Sequence, residues 1–226
     1  RAGAPQVEQQ DGLTVYHPRF FSLPRYGKFL DGLLYAASLI PHLARLRRRF
    51  AFEVIDAHFA FPDGVAAVLL ARVFRCPVVV TLRGSIVRLS GYRLHRPQLR
   101  WALSRAGRVV AVADYLRKVA VGIGVPTDRI RVIPNGVDLV RFAPAERAQA
   151  RRACGLPGDR TILLTVAAVY SWKGQHMVVE ALPHLRERYP DILYVMVGAP
   201  RVEEGSYVPA LKLRVAALGL EEHVRF

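Results

Sequence analysis

Hydrophobic and polar residues alternate along this chain with two different periods. Short runs rich in Val, Ile and Leu have the character of buried β-strands, whereas longer stretches repeat their hydrophobic residues every three or four positions, as amphipathic helices do. In the first part of the chain the predicted strands are residues 13–16, 53–58, 77–82, 108–112 and 130–134. The helices predicted between them are residues 28–50, 62–75, 96–106 and 114–124.

A polar segment, residues 139–160, separates this series from a second one. Proline and glycine lie near its ends, which is typical of a linker, and it has room for one short helix. The second series consists of strand 161–169, turn 170–174, helix 175–189, strand 191–198, helix 207–219 and a strand that begins within 223–226.

Apolar strands that alternate with helices are typical of a parallel sheet covered on both faces. The pattern therefore predicts an α/β protein with two Rossmann-like, doubly wound parallel-sheet domains. The predicted division is residues 1–138 for an N-terminal domain, 139–160 for a linker and 161–226 for the start of a C-terminal domain. We expect both domains to be incomplete, because no glycine-rich strand–turn–helix unit opens the first and the second stops within an element.

The chain carries 33 basic and 18 acidic residues, a formal net charge of +15 at pH 7. Such a charge favours an anionic partner: a nucleic acid, an acidic membrane surface or a phosphorylated ligand. However, only 4 of the basic residues are lysine, and the chain has a single asparagine. This bias fits genome base composition equally well, so both explanations stay open.

The cysteines and the apolar stretches indicate a compartment. Cys76 and Cys154 lie far apart in the sequence, without a second Cys or a His at metal-ligand spacing. Neither a disulfide framework nor a zinc site is therefore predicted, as in a reducing cytoplasm. The most apolar stretch, residues 29–46, is interrupted by an aspartate and a proline and does not predict a membrane span. We expect a cytoplasmic protein, with peripheral contact to the inner face of the membrane as an option.

Several cofactor and nucleotide signatures are absent. Residues 122–127 begin like a dinucleotide-binding loop, but Thr127 replaces the third glycine and the stretch follows a helix instead of a strand. The chain has no phosphate-binding P-loop, no Gly-x-Ser-x-Gly elbow and no pair of aspartates flanking one residue. These absences argue against a nicotinamide dehydrogenase, a P-loop NTPase, an α/β-hydrolase and a transferase with an Asp-x-Asp metal clamp.

Two predicted strand-to-helix turns carry a cation followed by a glycine. Arg83 and Gly84 follow strand 77–82, and Lys173 and Gly174 precede helix 175–189. A glycine permits close approach of the backbone, and a helix N-terminus beside a cation favours a phosphate. Because solvated loop cations are common, each turn by itself supports only a hypothesis.

Five segments, taken in order, resemble the family 4 glycosyltransferases, which have the two-domain GT-B fold. They are residues 53–71 (EVIDAHFAFPDGVAAVLLA), 77–85 (PVVVTLRGS), 108–118 (RVVAVADYLRK), 124–144 (GVPTDRIRVIPNGVDLVRFAP) and 171–198, which begins SWKGQH. The resemblance covers most of the chain from Glu53 onward. It implies transfer of a sugar from a nucleotide-diphosphate donor to a glycan or lipid-linked acceptor, with retention of anomeric configuration and without a metal or other cofactor.

The resemblance also implies roles for particular residues. Lys173 matches the family's lysine beside the donor diphosphate, and Gly174 gives the backbone its close approach. Asn135, Gly136 and Asp138 match the crossover between the acceptor domain and the nucleotide-sugar domain, at the rim of the cleft between them. The turn indicated by Asn135 and Gly136, which tolerate left-handed backbone, fits that crossover.

The chain departs from the family pattern in ways that affect the predicted site. Arg83 stands where many relatives have an active-site histidine; it can stabilise an anion but cannot act as a base at neutral pH. His58, at the end of strand 53–58, is the other catalytic candidate, as an acceptor-side group. Ala167 and Ala168 replace a Gly-Arg pair whose arginine is a second phosphate ligand. The family's paired glutamates would lie beyond residue 226, so we expect the chain by itself to be inactive.

Two alternatives to a transferase stay open. A degenerate member of the family would bind a nucleotide or a membrane without catalysis, and Ala168 favours this reading. A nucleic-acid-binding module would use the net charge, but the arginines are dispersed and no recognised motif is present, so no nucleic acid is predicted as a partner. The basic segment 45–50 (RLRRRF) is either a solvated helix end favoured by the helix dipole or a contact with anionic lipid.

Overall fold

The computed structural model describes residues 5–200 and 205–226, apart from the side chain of Tyr26. Contacts between Cα atoms divide the chain into two compact units, Arg1–Val137 and Asp138–Phe226. Each unit has its own parallel sheet and its own hydrophobic core.

The first unit contains an antiparallel hairpin and a four-stranded parallel sheet. The hairpin is formed by β1 (Val7–Gln10) and β2 (Leu13–Tyr16). The sheet has the order β3 (Ile55–His58), β4 (Val78–Leu82), β5 (Arg108–Ala111) and β6 (Ile130–Val132). The helices are α1 (Asp31–Arg49), α2 (Val65–Phe74), α3 (Ser85–Leu89), α4 (Arg96–Arg105) and α5 (Asp114–Gly122).

The core of the first unit lies on the two central strands of its sheet. Val80 and Leu82 of β4 and Val109 of β5 are fully buried, together with Leu99 and Leu103 of α4. Burying one such side chain contributes roughly 1.5–3 kcal/mol. The apolar runs of β4 and β5 are therefore explained by burial, and the sheet they form fixes the positions of the loops at its carboxyl edge.

The second unit has a three-stranded parallel sheet in the order β7 (Ile162–Val166), β8 (Leu193–Val197) and β9 (Val224–Arg225). Its helices are α6 (Arg147–Ala153), α7 (Gln175–Arg188) and α8 (Tyr207–Ala217). Glu146 caps α6 by accepting the amides of Ala148 and Gln149, and these bonds lower the pKa of its carboxyl group.

The second core is formed by α7, β8 and α8. Val179 and Leu182 of α7, Tyr194 of β8 and Leu220 are almost fully buried. Arg160 closes one end of the sheet, because its guanidinium group donates to the backbone carbonyls of residues 191, 192 and 222. The segment before β9 is thereby tied to the start of β8.

The predicted α/β class with parallel sheets is confirmed, and the alternation of apolar strands and helices is present in both units. Strand β1 and helix α3 were not predicted, because a polar four-residue run and a five-residue helix give no clear periodicity. Among the residues that the structure describes, no helix is both long enough and apolar enough to cross a bilayer.

Candidate functional site

Three of the predicted site residues lie at the carboxyl edge of the first sheet. His58 is the last residue of β3, Arg83 follows the end of β4, and Asn135 lies three residues after β6. Parallel strands end at the same edge, and ligands of open α/β sheets bind there. The topology thus brings together residues that are up to 77 positions apart in the sequence, counted from 58 to 135.

Side-chain contacts connect these three residues in series. Nη2 of Arg83 lies 3.0 Å from Nδ1 of His58, and Nη1 of Arg83 donates to Oδ1 of Asn135 over 3.4 Å. Nε2 of His58 lies 3.2 Å from Oδ2 of Asp56, two residues earlier on β3. We call the four residues Asp56, His58, Arg83 and Asn135 the Arg83 network. Asp56 was not among the predicted site residues.

The turn after β4 begins the short helix α3. Gly84 has ordinary right-handed backbone, and a Cβ atom there would meet no atom within 4 Å. Neither backbone geometry nor packing therefore requires glycine at this position. The hydroxyl of Ser85 is buried and has no hydrogen-bond partner within the described part of the chain.

A second carboxyl group lies near His58. Asp63 is half-buried in the irregular turn of residues 60–64, and burial raises its pKa, while a hydrogen bond from its own backbone and the charge of His58 act in the opposite direction. Burial, with a smaller contribution from Asp63, also raises the pKa of Tyr35 on α1. The sequence did not single out Asp63, because its burial follows from how α1 packs on the segment after β3.

A groove of about 570 Å³ lies between α1 and β3. It is mainly apolar, and its polar lining includes Asp56, His58 and Asp63. A neighbouring cavity of about 510 Å³ lies along α1, and Arg45, Arg48 and Arg49 contribute to it. Arg47 is directed elsewhere, since it donates to the carbonyl of Phe74 and lies over aromatic rings.

The second candidate turn follows β7 in the second unit. Lys173 ends a single 3₁₀ turn, residues 171–173, and Gly174 adopts left-handed backbone with a φ of 75° immediately before α7. That conformation favours glycine. The Lys173 ammonium lies 5.9 Å from the centre of the Tyr170 ring, within cation–π distance. The predicted cation, glycine and helix N-terminus are therefore adjacent in space.

The first turn of α7 carries no acidic side chain, so its partial positive charge is not offset there. Part of its hydrogen-bonding capacity is already used. The amide of His176 donates to the hydroxyl of Tyr207, and the amide of Met177 donates to the carbonyl of Gly174. An anion at this turn would therefore be stabilised by the lysine and the helix dipole more than by a full set of free amides.

Two contacts hold the turn after β7 in place. Gln175 is 1% exposed, and its side-chain amide donates to the carbonyl of Ala168 over 3.1 Å. A Cβ atom on Gly198, at the end of β8, would lie 1.9 Å from the carbonyl oxygen of Ala167. The loops after β7 and β8 thus pack backbone against backbone.

The predicted crossover residues are all exposed. Asn135 contacts Arg83, whereas a Cβ atom on Gly136 would meet nothing within 4 Å. The Asp138 carboxylate accepts the amides of Val140 and Arg141, which forms a local turn. The roles predicted for these three residues at a cleft stay predictions.

No group of three or more His, Cys, Asp and Glu side chains that could hold a metal ion occurs within residues 5–200 and 205–226. The cysteines are unpaired: Cys76 is buried and Cys154 is exposed. The expectation of a metal-independent reaction stays a prediction.

Comparison with known proteins gives two family matches. The chain matches the family described as Glycosyltransferase Family 4 over residues 2–141 and the one described as Glycosyl transferases group 1 over residues 146–226. Together the two matches cover both structural units.

Curated relatives include a GDP-mannose-dependent alpha-(1-6)-phosphatidylinositol monomannoside mannosyltransferase from Mycolicibacterium smegmatis, 30% identical over 99% of this chain and 56% of that protein. A D-inositol 3-phosphate glycosyltransferase from Geodermatophilus obscurus is 33% identical over 98% of this chain and 53% of its own length. The chain thus spans about half the length of the curated relatives it matches.

Solved structures with a similar fold include Anabaena HepE in complex with UDP, with a TM-score of 0.71 at 22% identity over 86% of this chain and 52% of that one. Sucrose-phosphate synthase from Thermosynechococcus elongatus gives a TM-score of 0.74 at 17% identity, over 100% of this chain and 57% of that one. These likenesses concern the fold.

Proposed function

The chain belongs to glycosyltransferase family 4, and from that premise we propose that the whole protein transfers a sugar from a nucleotide-diphosphate donor to a glycan or glycolipid acceptor. The observation that carries the proposal is the turn after β7, where Lys173, the left-handed Gly174 and the N-terminus of α7 adjoin one another. This arrangement favours a diphosphate. The Mycolicibacterium relative is named for GDP-mannose and the Anabaena structure contains UDP, which supports a nucleotide sugar as the donor.

The proposed chemistry places the main electrostatic demand on the departing diphosphate. As the bond between the sugar and the diphosphate breaks, negative charge increases on the leaving oxygen, and the ammonium of Lys173 together with the positive end of α7 lowers the energy of that state. We include in the proposal that these groups act without a metal ion and that the anomeric configuration is retained. Arg83 is proposed to stabilise an anionic group on the acceptor side.

The test uses the whole protein with GDP-mannose, UDP-glucose and UDP-N-acetylglucosamine, a lipid or saccharide extract as the acceptor source, and release of nucleoside diphosphate as the readout. We expect release with one donor and a decrease of about 10²–10³ in turnover for Lys173→Ala. Lys118→Ala is the matched control, because Lys118 is an exposed lysine paired with Asp114 on α5; its turnover should not change.

The outcomes separate the proposal from its alternatives. If the Lys173 substitution leaves the release unchanged, the protein is a transferase, but Lys173 does not belong to its diphosphate site. If the folded protein releases no nucleoside diphosphate from any donor, the result would support the alternative that it is a non-catalytic member of the family, which binds a nucleotide without transfer. NMR of the product then decides between retention and inversion at the anomeric carbon, and a chelator tests independence of metal.

The basic end of α1 supports a narrower proposal about location. Arg45, Arg48 and Arg49 are exposed beside a partly apolar cavity, as a contact with anionic lipid requires. We propose that the protein acts at the inner face of the membrane in the cytoplasm through this end of the helix. Binding to vesicles with and without anionic lipid, compared between the wild type and a triple Arg→Gln variant, tests this. Equal binding would favour the solvated helix end.

A further inference from the structure

The Arg83 network contains one residue, His58, whose protonation pattern is fixed by its neighbours. Nδ1 of His58 lies 3.0 Å from Nη2 of Arg83, and Nε2 lies 3.2 Å from Oδ2 of Asp56. Both ring nitrogens therefore have a partner, and the two partners differ in what they can do in a hydrogen bond.

The arginine and the aspartate together determine which nitrogen carries the proton. A guanidinium group has only donors, so Nδ1 must accept, with its lone pair directed toward Arg83. A neutral imidazole then carries its proton on Nε2, which donates to the carboxylate of Asp56. One tautomer satisfies both contacts, whereas the other would place two donors against each other at Arg83.

We propose that Asp56 and His58 are positioning residues that hold the Arg83 guanidinium group for an anionic ligand. His58 accepts from one arm of the guanidinium, and Asn135 accepts from the other at 3.4 Å. The plane of Arg83 is thereby set from the carboxyl ends of β3 and β6, the two outer strands of the sheet, and its remaining N–H groups are directed by that plane. A planar fork fixed in this way suits a carboxylate or a phosphate better than a flexible ammonium does.

This assignment changes the role expected for His58. With the Nδ1 lone pair directed to Arg83 and the Nε2 proton directed to Asp56, the imidazole has neither a free lone pair nor a free proton for an acceptor hydroxyl. His58 then acts through Arg83 and does not touch the reacting atoms. The tautomer follows from the contacts alone, whereas the contact of Arg83 with a ligand rests on the proposed function.

The first test reads the tautomer directly and does not depend on activity. A long-range proton–nitrogen NMR spectrum of the ¹⁵N-labelled chain is recorded at pH 8, and the His58 signals, among those of 7 histidines, are assigned by their loss in His58→Gln. We expect the pattern of a neutral ring with the proton on Nε2. Asp56 alone would still favour a proton on Nε2, so only the double variant Asp56→Ala/Arg83→Leu should release the ring into a mixture of tautomers. A proton on Nδ1, or a pattern that the double variant leaves unchanged, would overturn the proposal.

The second test uses the whole protein and its transfer kinetics. We expect His58→Ala to lower kcat/KM about tenfold, as loss of one hydrogen bond to a charged group does. His58→Gln should recover most of this, because the glutamine amide offers an oxygen to Arg83 and N–H groups to Asp56. His184→Ala, which removes an exposed histidine on α7, serves as the control and should leave transfer unchanged.

The kinetic outcomes distinguish positioning from catalysis. If His58→Gln is as damaging as His58→Ala while both variants unfold at the wild-type temperature, the imidazole itself takes part in the chemistry and the positioning role is wrong. If the whole protein shows no transfer with any donor, the proposed function fails, and the NMR experiment still decides the tautomer.

Discussion

The two cation-bearing turns of this protein are built by different means. In the turn after β4, Arg83 is held by side chains from other parts of the first unit, His58 and Asn135, and the helix that follows has only five residues. In the turn after β7, Lys173 stands on backbone that is fixed by the left-handed Gly174, and the helix that follows has 14 residues.

The difference shows two ways of placing a positive charge at the carboxyl edge of a parallel sheet. In the first unit the direction of the charge is set by the hydrogen bonds that the Arg83 guanidinium donates. In the second unit the position of the charge is set by the loop. The flexible side chain of the lysine then adjusts to the ligand, and the helix dipole adds to its positive potential. The first arrangement should depend on the chemical identity of the cation, and the second on the rigidity of the loop.

The largest effect is expected for the loop of the second unit. In Gly198→Ala the new methyl group would lie 1.9 Å from the carbonyl oxygen of Ala167, so the two loops must separate. We expect the free energy of unfolding of the second unit to decrease by about 3 kcal/mol. Urea denaturation followed by circular dichroism measures the change.

Gly158→Ala is the control for that variant, because a Cβ atom at Gly158 would meet nothing within 4 Å. Equal stability of the two variants would mean that the loops after β7 and β8 are not held by this close approach. The rigidity of these loops would then not explain the position of Lys173.

Replacing the cation of each turn by the other basic residue, in two separate variants, has the next largest effect. Arg83→Lys removes the fork that contacts His58 and Asn135, so we expect kcat/KM of the whole protein to decrease roughly tenfold. Lys173→Arg keeps the charge on a turn that the backbone fixes, and we expect a decrease of less than about threefold. Steady-state transfer kinetics of the two variants make the comparison, and similar losses would contradict it.

The smallest effects concern pH, and they should have opposite signs in the two units. Burial raises the pKa of Asp63, so between the ordinary aspartate value, about 4, and its raised value the folded state binds more protons than the unfolded state. Stability therefore decreases as pH rises through that window. Asp63→Asn should gain stability relative to the wild type as pH rises from about 4 to 7.

Glu180 in the second unit provides the matched comparison. The guanidinium of Arg214 lowers the pKa of this carboxyl, so its contribution to stability is present above the ordinary glutamate value and is lost as pH falls. Glu180→Gln should lose stability relative to the wild type near neutral pH but not in acid. Thermal unfolding of both variants from pH 3 to pH 7 checks the signs, and a shift of the same sign in both would contradict the assignment of causes.

The strands and helices were largely predictable because their signals are local. The apolar runs of β4 and β8 and the period of α7 each reflect burial of one contiguous segment. The positive φ of Gly174 was likewise accessible, since a glycine between a strand and a helix is a turn signal. The resemblance of the ordered motifs to family 4 is confirmed by the family match over residues 2–141.

The contacts within the site could not be predicted in the same way. Strand-end topology places His58 and Arg83 at one edge, but it gives neither the distance between them nor the participation of Asp56. The burial of Gln175 and the close approach of Gly198 to Ala167 depend on how two loops pack, which no local pattern encodes. The roles of the predicted site residues stay predictions.

The close approach at Gly198 also has a consequence for motion. The loops after β7 and β8 remain paired beyond the strands, because Ala167 donates to the carbonyl of Val197 and Val169 donates to that of Ala199. A fluctuation that lifts one loop must break the bonds of the other, so both should open in one cooperative step. The amide protons of Ala167 and Val169 should then exchange with solvent at a common rate, and the lysine beside them would move as part of that two-loop unit.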